Sequence, residues 1–333
     1  MKTRRIGAFE VSCIGLGCMS FSHAYGTPPP AERAERVILE ALDCGVTLFD
    51  TAALYGFGAN ETLVGRVLQP HRARIVLASK GGIGGVTTLE GTRRVIDGRP
   101  ETLRRQCDES LQRLRTDVID LYYLHRWDKQ VPIEESIGAL ADLVRAGKVR
   151  ALGLSEVSAQ TLRKAHAVHP IAAVQSEYSL WSRVVEIGVL QACREIGAAF
   201  VAFSPVARGY LTGRLREVQQ LEPKDIRRQM PRFAPDSYAT NLQLLAPVLA
   251  AATEIGCTPA QLALAWLLHQ GDDIVPIPGT TQREHLIENL GAADVRLDAQ
   301  QVAGLGALLH DCTVAGARYN PATQSEVDTE QFS

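Results

Sequence analysis

Four side chains carry the chemistry legible in this chain: Asp50, Tyr55, Lys80 and His125. Each stands at, or five residues beyond, the end of a short apolar run with β-strand character. Val46-Thr47-Leu48-Phe49 leads into Asp50, with Tyr55 in the loop that follows. Ile75-Val76-Leu77-Ala78-Ser79 leads into Lys80, and residues 118–124 lead into His125. A carboxylate, a phenol, an ammonium and an imidazole gathered at the carboxyl ends of successive strands make a proton-transfer site. A phenol titrates near ~10 in water, and a neighbouring ammonium favours the phenolate and eases release of the proton. Lys80 is placed to supply that charge, Asp50 to hold the ammonium, and His125 to offer an N–H to a carbonyl oxygen or a proton relay. Given a hydride source, such a set reduces a carbonyl. Singly, each residue has a plainer role: a turn cap for Asp50, rim packing for Tyr55, a solvated Lys80, a structural His125. Their shared position at strand ends argues for a site.

The elements that must position these residues alternate strand and helix. Residues 3–6 and 10–12 flank Gly7 as a small hairpin, and 14–17 form the first strand of the series. Val37, Ile38, Ala41 and Leu42 share one face of a helix predicted over 31–43, ended by Cys44-Gly45. Strand 46–50 precedes helix 60–69, with Asn60 as its N-cap and Pro70 as its stop. Strand 75–79 precedes the glycine-rich stretch 81–99, which lacks periodicity and is predicted as a long loop. Helix–strand pairs then recur at 101–114 and 118–124, 133–146 and 149–154, 158–168 and 172–176, and 186–196 and 199–203. Residues 207–236 read as a polar insertion. Helices 237–255 and 258–270 lead to the last strand, 273–277, and helices 282–290 and 298–309 close the series. Eight such units predict an α/β fold, a parallel sheet closed as a (β/α)8 TIM barrel whose chemistry lies at the carboxyl-end rim. The GxGxxG fingerprint of an open dinucleotide-binding sheet is absent; Gly15-Leu16-Gly17-Cys18-Met19-Ser20 approaches it, but no helix follows directly. The domain expectation is one barrel over 1–312 and a polar tail over 313–333, mobile or lying near the active-site rim.

Composition narrows the class. The 333 residues are 46% hydrophobic, enough for a sizeable core, and the net charge is −2. That balance argues against the clustered basic face of a nucleic-acid binder. The start, MKTRRIGAFEVSCIGLG, lacks the uninterrupted apolar segment of a signal peptide. No run approaches the roughly 18 apolar residues of a membrane span. Seven cysteines, Cys13, Cys18, Cys44, Cys107, Cys193, Cys257 and Cys312, form no CxxC pair and read as free thiols of a reducing cytoplasm. No zinc-ligand spacing appears; His166 and His169 share a helix but have no third ligand. The expectation is a cytoplasmic, metal-free protein without nucleic-acid or membrane partners, monomeric or homo-oligomeric.

The segments GVTLFDTAALYGFGANETLVGRVL, LASKGG and DLYYLHRWD hold the four residues, and together they resemble the aldo-keto reductases. The resemblance runs from about residue 3 to residue 309 and is nearest to bacterial and plant-type members with GLSE, QSEYSLW and IPGT segments. It implies NADPH-dependent reduction of aldehydes and ketones, with Tyr55 as general acid, Lys80 and Asp50 as its tuning pair, and His125 orienting the carbonyl. It also implies a cofactor site. Ser155 and Gln175 are similar to residues that bind the nicotinamide carboxamide, while Glu156 stands where relatives have asparagine or glutamate. Phe203 takes the place of an aromatic ring stacked on the nicotinamide. Ser204, Val206, Arg208 and Gly209 resemble a pyrophosphate clasp. Gly279, Thr280, Arg283, His285, Glu288 and Asn289 resemble the adenosine end, with Thr280 beside a helix start suited to a phosphate. Relatives often place basic residues where this chain has Thr281, Gln282 and His285, so NADH use accompanies NADPH as an expectation. Met19, Tyr25, Trp127, Trp181 and the loop 81–99 are the expected substrate walls. Two other readings accompany the reductase: a nicotinamide-binding regulatory subunit of a potassium channel, and a barrel isomerase or lyase without nicotinamide.

Overall fold

The structure, a computed structural model, describes residues 1–88, 91–309 and 313–332. The chain begins with an antiparallel hairpin of β1 (Thr3–Ile6) and β2 (Phe9–Ser12). Barrel strands β3 (Leu16–Gly17), β4 (Leu48–Asp50) and β5 (Val76–Gly81) follow, then a second hairpin of β6 (Ile83–Thr88) and β7 (Gly91–Ile96). The remaining barrel strands are β8 (Ile119–Leu124), β9 (Val149–Ser155), β10 (Ile171–Glu177), β11 (Ala199–Phe203) and β12 (Ile274–Pro276). Helices α1 (Ala31–Asp43), α2 (Ala59–Leu68), α3 (Pro100–Leu114), α4 (Ile133–Arg145), α5 (Ala159–Val168) and α6 (Val189–Ile196) separate successive strands. Two, α7 (Pro235–Ile255) and α8 (Pro259–Leu268), precede β12, and α9 (Arg283–Gly291), α10 (Ala299–Leu308) and α11 (Pro321–Ser325) follow it.

The eight barrel strands are parallel and ordered β3-β4-β5-β8-β9-β10-β11-β12. The sheet closes where the Gly15 N–H donates to the Pro276 carbonyl at 3.0 Å and the Gly17 N–H to the Pro278 carbonyl at 3.2 Å. Glycine is required at this seam: a Cβ on Gly17 would lie 2.8 Å from the Ile277 oxygen, and one on Gly279 2.9 Å from the Gly17 oxygen. The expected (β/α)8 barrel is therefore present, with the extra helices near its carboxyl terminus.

Strand alternation explains how the site is built. Leu48, Val76, Ala78, Leu121, Tyr123, Ala173 and Val201 fill the barrel interior, and Ile6 and Val11 of the first hairpin join them. Their neighbours Phe49, Leu77, Tyr122, Leu124, Val174 and Ala202 face the helical shell. One more step along each strand returns to the inward face. There stand Asp50, Lys80 and His125, with Ser155, Gln175 and Phe203 from the other side of the ring.

Two local expectations are corrected. Residues 83–96 are a hairpin rather than a loop, although Leu89 and Glu90 of that stretch lie outside the described residues. Its alternation is hidden by Gly84 and Gly85, where a Cβ would lie 2.8 Å from Gln106 Nε2 and 2.5 Å from Thr92 Cγ2. Asn60 is not an N-cap; Gly58 takes that place with φ 95°. Asn60 instead donates to the Cys18 carbonyl at 2.9 Å and accepts from Thr51 Oγ1 at 2.6 Å, tying the β3 and β4 exits together. The described tail residues bond back to the barrel. Lys129 donates to the Ser325 and Val327 carbonyls, Asp328 accepts from Ser158 at the start of α5, and Glu330 accepts from the Ala159 N–H.

The six described cysteines are free; Cys312 lies outside the described residues. Among the described residues no cluster of three or more His, Cys, Asp or Glu groups suits a metal ion. No single described helix is long and apolar enough to cross a membrane.

Candidate active site

The four strand-end residues meet in one buried cluster. Lys80, almost fully buried, donates to Asp50 Oδ1, to the Thr51 carbonyl at 2.9 Å and to the Tyr55 phenol oxygen at 3.3 Å. Asp50 Oδ2 accepts from Gln175 Nε2 at 2.8 Å, so both carboxylate oxygens are fixed. Tyr55 reaches the pair because the chain turns sharply behind it: Gly56, Phe57 and Gly58 all have positive φ, at 58°, 50° and 95°. Two of the three are glycine, which adopts that conformation without strain. His125 presents its ring edge-on to Tyr55 at 5.9 Å, and His23 stacks on Tyr55 at 5.8 Å.

Burial and charge set the resting protonation states. Burial works against the Lys80 ammonium, but Asp50 and Tyr55 outweigh it and the net pKa shift is upward. Burial raises the Tyr55 pKa, Asp50 adds to the rise, and Lys80 opposes it. The sequence suggests a phenol acidified by its ammonium; in the structure burial wins, and Tyr55 rests protonated, as a proton donor must. Burial pushes the His125 pKa well down, with Arg126, Lys80, Arg94 and His23 acting the same way. Its ring is neutral, and its buried Nδ1 has no hydrogen-bond partner.

A cleft of about 810 Å³ runs from Met19, His23, Tyr55 and His125 to Thr280, Glu288 and Asn289. Of the residues singled out in the sequence, Ser155, Gln175, Phe203, Ser204, Val206, Arg208, Gly209, Gly279, Thr280, His285, Glu288, Asn289, Met19 and Tyr25 line it. Three do not. Trp127 spends its indole N–H on the Val131 carbonyl at 2.8 Å and packs on the core. Trp181 is buried against Tyr210, with ring centroids 4.1 Å apart. Both pack on the core. Arg283 turns away to Glu40 on α1, 2.7 Å distant. Arg208 lines the cleft but is committed to Glu177 at 2.8 Å, with its Nε buried and unpartnered.

Further cations reach the cleft from elsewhere in the chain. Arg214, in the polar insertion, contacts His285 and pairs with Glu288 at 3.0 Å. Arg33 of α1 also lines the cleft. Near the quartet, Arg126 donates to the His125 carbonyl at 2.6 Å and to Ser155 Oγ at 3.2 Å. Nothing in the local sequence marks Arg214 or Arg33, because each arrives by tertiary packing. Arg126, adjacent to His125, carries a visible signal.

A protonated phenol, fixed by an ammonium and facing a cleft beside a neutral imidazole, suits carbonyl–alcohol interconversion, the work of an oxidoreductase. A sequence model of the Aldo/keto reductase family matches residues 13–310, and the chain belongs to that family. It is 42% identical over 330 residues to the Schizosaccharomyces pombe aldo-keto reductase yakc, named with NADP(+), covering 98% of this chain and 96% of that one. The glycerol dehydrogenase of Gluconobacter oxydans superposes with a TM-score of 0.85 at 28% identity, over 96% of this chain and 98% of that one. An aldo/keto reductase from Klebsiella pneumoniae, solved with NADP and acetate, superposes with a TM-score of 0.71 at 27% identity, over 98% and 99%.

Proposed function

We propose that this protein reduces an aldehyde or ketone to an alcohol with NADPH, with Tyr55 as the proton donor. What supports this most is the direction of hydrogen bonding at Lys80. The ammonium donates to the phenol oxygen, so the phenol's own proton is left for an acceptor in the cleft. As that proton leaves, negative charge grows on an oxygen 3.3 Å from the ammonium, which stabilises it. Asp50 and the Thr51 carbonyl hold Lys80 for this task. A neutral His125 offers an N–H to the substrate oxygen without competing as an acid.

The residues present fit a nicotinamide dinucleotide, which when bound supplies the hydride. The cleft is of ligand size and its walls change character along its length. Ser155, Gln175 and Phe203 would hold the nicotinamide beside Tyr55. The turn over 204–209 approaches where the pyrophosphate would run. Thr280, His285, Glu288 and Asn289, with Arg214 and Arg33, would hold the adenosine phosphate end. NADP in the names of the Schizosaccharomyces and Klebsiella relatives supports NADPH as the donor. Thr281 and Gln282 keep NADH as a measurable second donor. The named relatives are enzymes, which favours turnover over a channel-subunit role. The substrate is a small-molecule carbonyl, and the cytoplasmic setting is part of the same proposal.

Tyr55→Phe tests the assignment. Its expected effect is a fall in kcat of about 10²–10⁴-fold, with NADPH binding retained in a fluorescence titration. Unchanged turnover in that variant rejects Tyr55 as the acid.

A further inference from the structure

The tail is tied to the nicotinamide side of the cleft by two adjacent residues. Arg318, 7% exposed, pairs with Glu156, whose side chain is fully buried. The contact is two-pronged, its second arm from Arg318 Nη1 to Oε1 at 3.2 Å. Glu156 immediately follows Ser155 and has a φ of 58°, unusual for a residue with a side chain. The same Oε1 accepts from the Glu177 N–H at 3.0 Å. Glu177 pairs with Arg208, and Arg208 donates to Tyr319 Oη at 3.2 Å. The Arg318 guanidinium lies 4.5 Å from the Tyr319 ring centre. Two carboxylates at the ends of β9 and β10 are thus joined through two arginines to consecutive tail residues. Tyr319 itself lines the cleft, with Asn320 and Thr323.

We propose that Arg318 and Tyr319 are positioning residues for the cofactor site, so that docking of the tail and binding of the cofactor favour one another. This rests on the nicotinamide assignment above. Releasing Arg318 leaves Glu156 buried and unpaired, an arrangement that charged groups escape by moving toward water. That movement displaces Ser155 on one side and, through Glu177, Arg208 and Phe203 on the other. Coupling between sites is reciprocal, so cofactor must in turn hold the tail down.

The test uses the full chain. NADPH affinity is measured by fluorescence quenching, and tail docking by cleavage with a glutamyl endopeptidase at Glu326 and Glu330, followed by mass spectrometry. In the wild type, NADPH slows tail cleavage. Arg318→Gln raises the NADPH Kd about tenfold, within the usual range of coupling, and speeds cleavage. Arg318→Lys recovers part of the loss. Tyr319→Phe, which keeps the packing, shifts affinity in the same direction by less. Should Arg318→Gln fail to fold, the double variant Glu156→Gln/Arg318→Gln removes the stranded charge along with its partner, and it is expected to regain part of the NADPH affinity while its tail is still cleaved faster than in the wild type. Folded variants that bind within twofold of wild type, with cleavage indifferent to cofactor, overturn the coupling alone. A wild type that binds neither NADPH nor NADH overturns the nicotinamide assignment, and the coupling with it.

Discussion

At the scale of single residues, the site depends on which charges are buried together. Lys80 and Asp50 are both almost sealed from solvent, and removing one partner of such a pair strands the other. Lys80→Met is therefore expected to destabilise the fold by about 3–5 kcal/mol in urea unfolding, besides lowering activity. A loss below about 1 kcal/mol means that water reaches Asp50 in the free protein. The histidines give a pH effect of known sign. His125 and His23 both have folded pKa values pushed down, chiefly by burial. Below the unfolded value of about 6.5, the unfolded chain binds protons that the folded chain resists, so stability falls as pH drops. Each histidine contributes at most about 1.4 kcal/mol per pH unit in that window. His125→Phe is expected to flatten the dependence between pH 6.5 and 5 in chemical denaturation; an unchanged slope assigns it elsewhere. The quartet was legible in the sequence because strand alternation is simple: three of its members end apolar runs. The neutrality of His125 and the net upward shift of Tyr55 were not, since both depend on how completely the rim is closed.

At the scale of elements, the closing seam of the barrel and the far end of the cleft share a few residues. Gly17 and Gly279 pass so closely that either Cβ would press on a backbone oxygen. Neither has positive φ, so the constraint is space rather than conformation. Gly17→Ala is expected to cost about 1–3 kcal/mol, as overpacking does, and to weaken cofactor binding because Gly17 and Gly279 also line the cleft. A variant as stable as wild type means the seam can spread. Cofactor choice is divided between elements in a way that local spacing conceals. Arg283 leads α9 yet pairs with Glu40 of α1, whereas Arg214 crosses from the insertion to Glu288. Arg214→Ala is expected to lower the NADPH-to-NADH ratio of kcat/KM about tenfold, the worth of one charge-assisted bond. Arg283→Ala leaves that ratio unchanged, and a fall there would return the phosphate to the α9 terminus. Helices with a clear apolar face, such as α1, were legible nearly to the residue. The β6–β7 hairpin was not, because its glycines serve packing against Gln106 and Thr92 and erase the alternation that marks a strand.

At the scale of the whole molecule, residues from Gly17 to Thr323 line one cleft, so its walls draw on nearly the full chain. The tail bonds back to the barrel: Arg94 of the second hairpin pairs with Glu326, and Asp328 accepts from the Ser158 N–H at the start of α5. A single barrel domain with its tail strapped on is the proposed organisation, and it predicts one cooperative transition. Ligand binding then stabilises the whole unit by mass action, about 2.7 kcal/mol at a hundredfold excess over Kd. For a chain of 333 residues, the entropy of unfolding scales to a rise in Tm of roughly 4 °C. Calorimetry with saturating NADPH should show one peak moving upward by about that amount. If the tail or the insertion melts first, in a separate peak that NADPH leaves in place, the cleft does not bind across those elements. In Arg318→Gln the same NADPH concentration should produce a smaller shift, since weaker binding lowers the ratio of ligand to Kd that sets it.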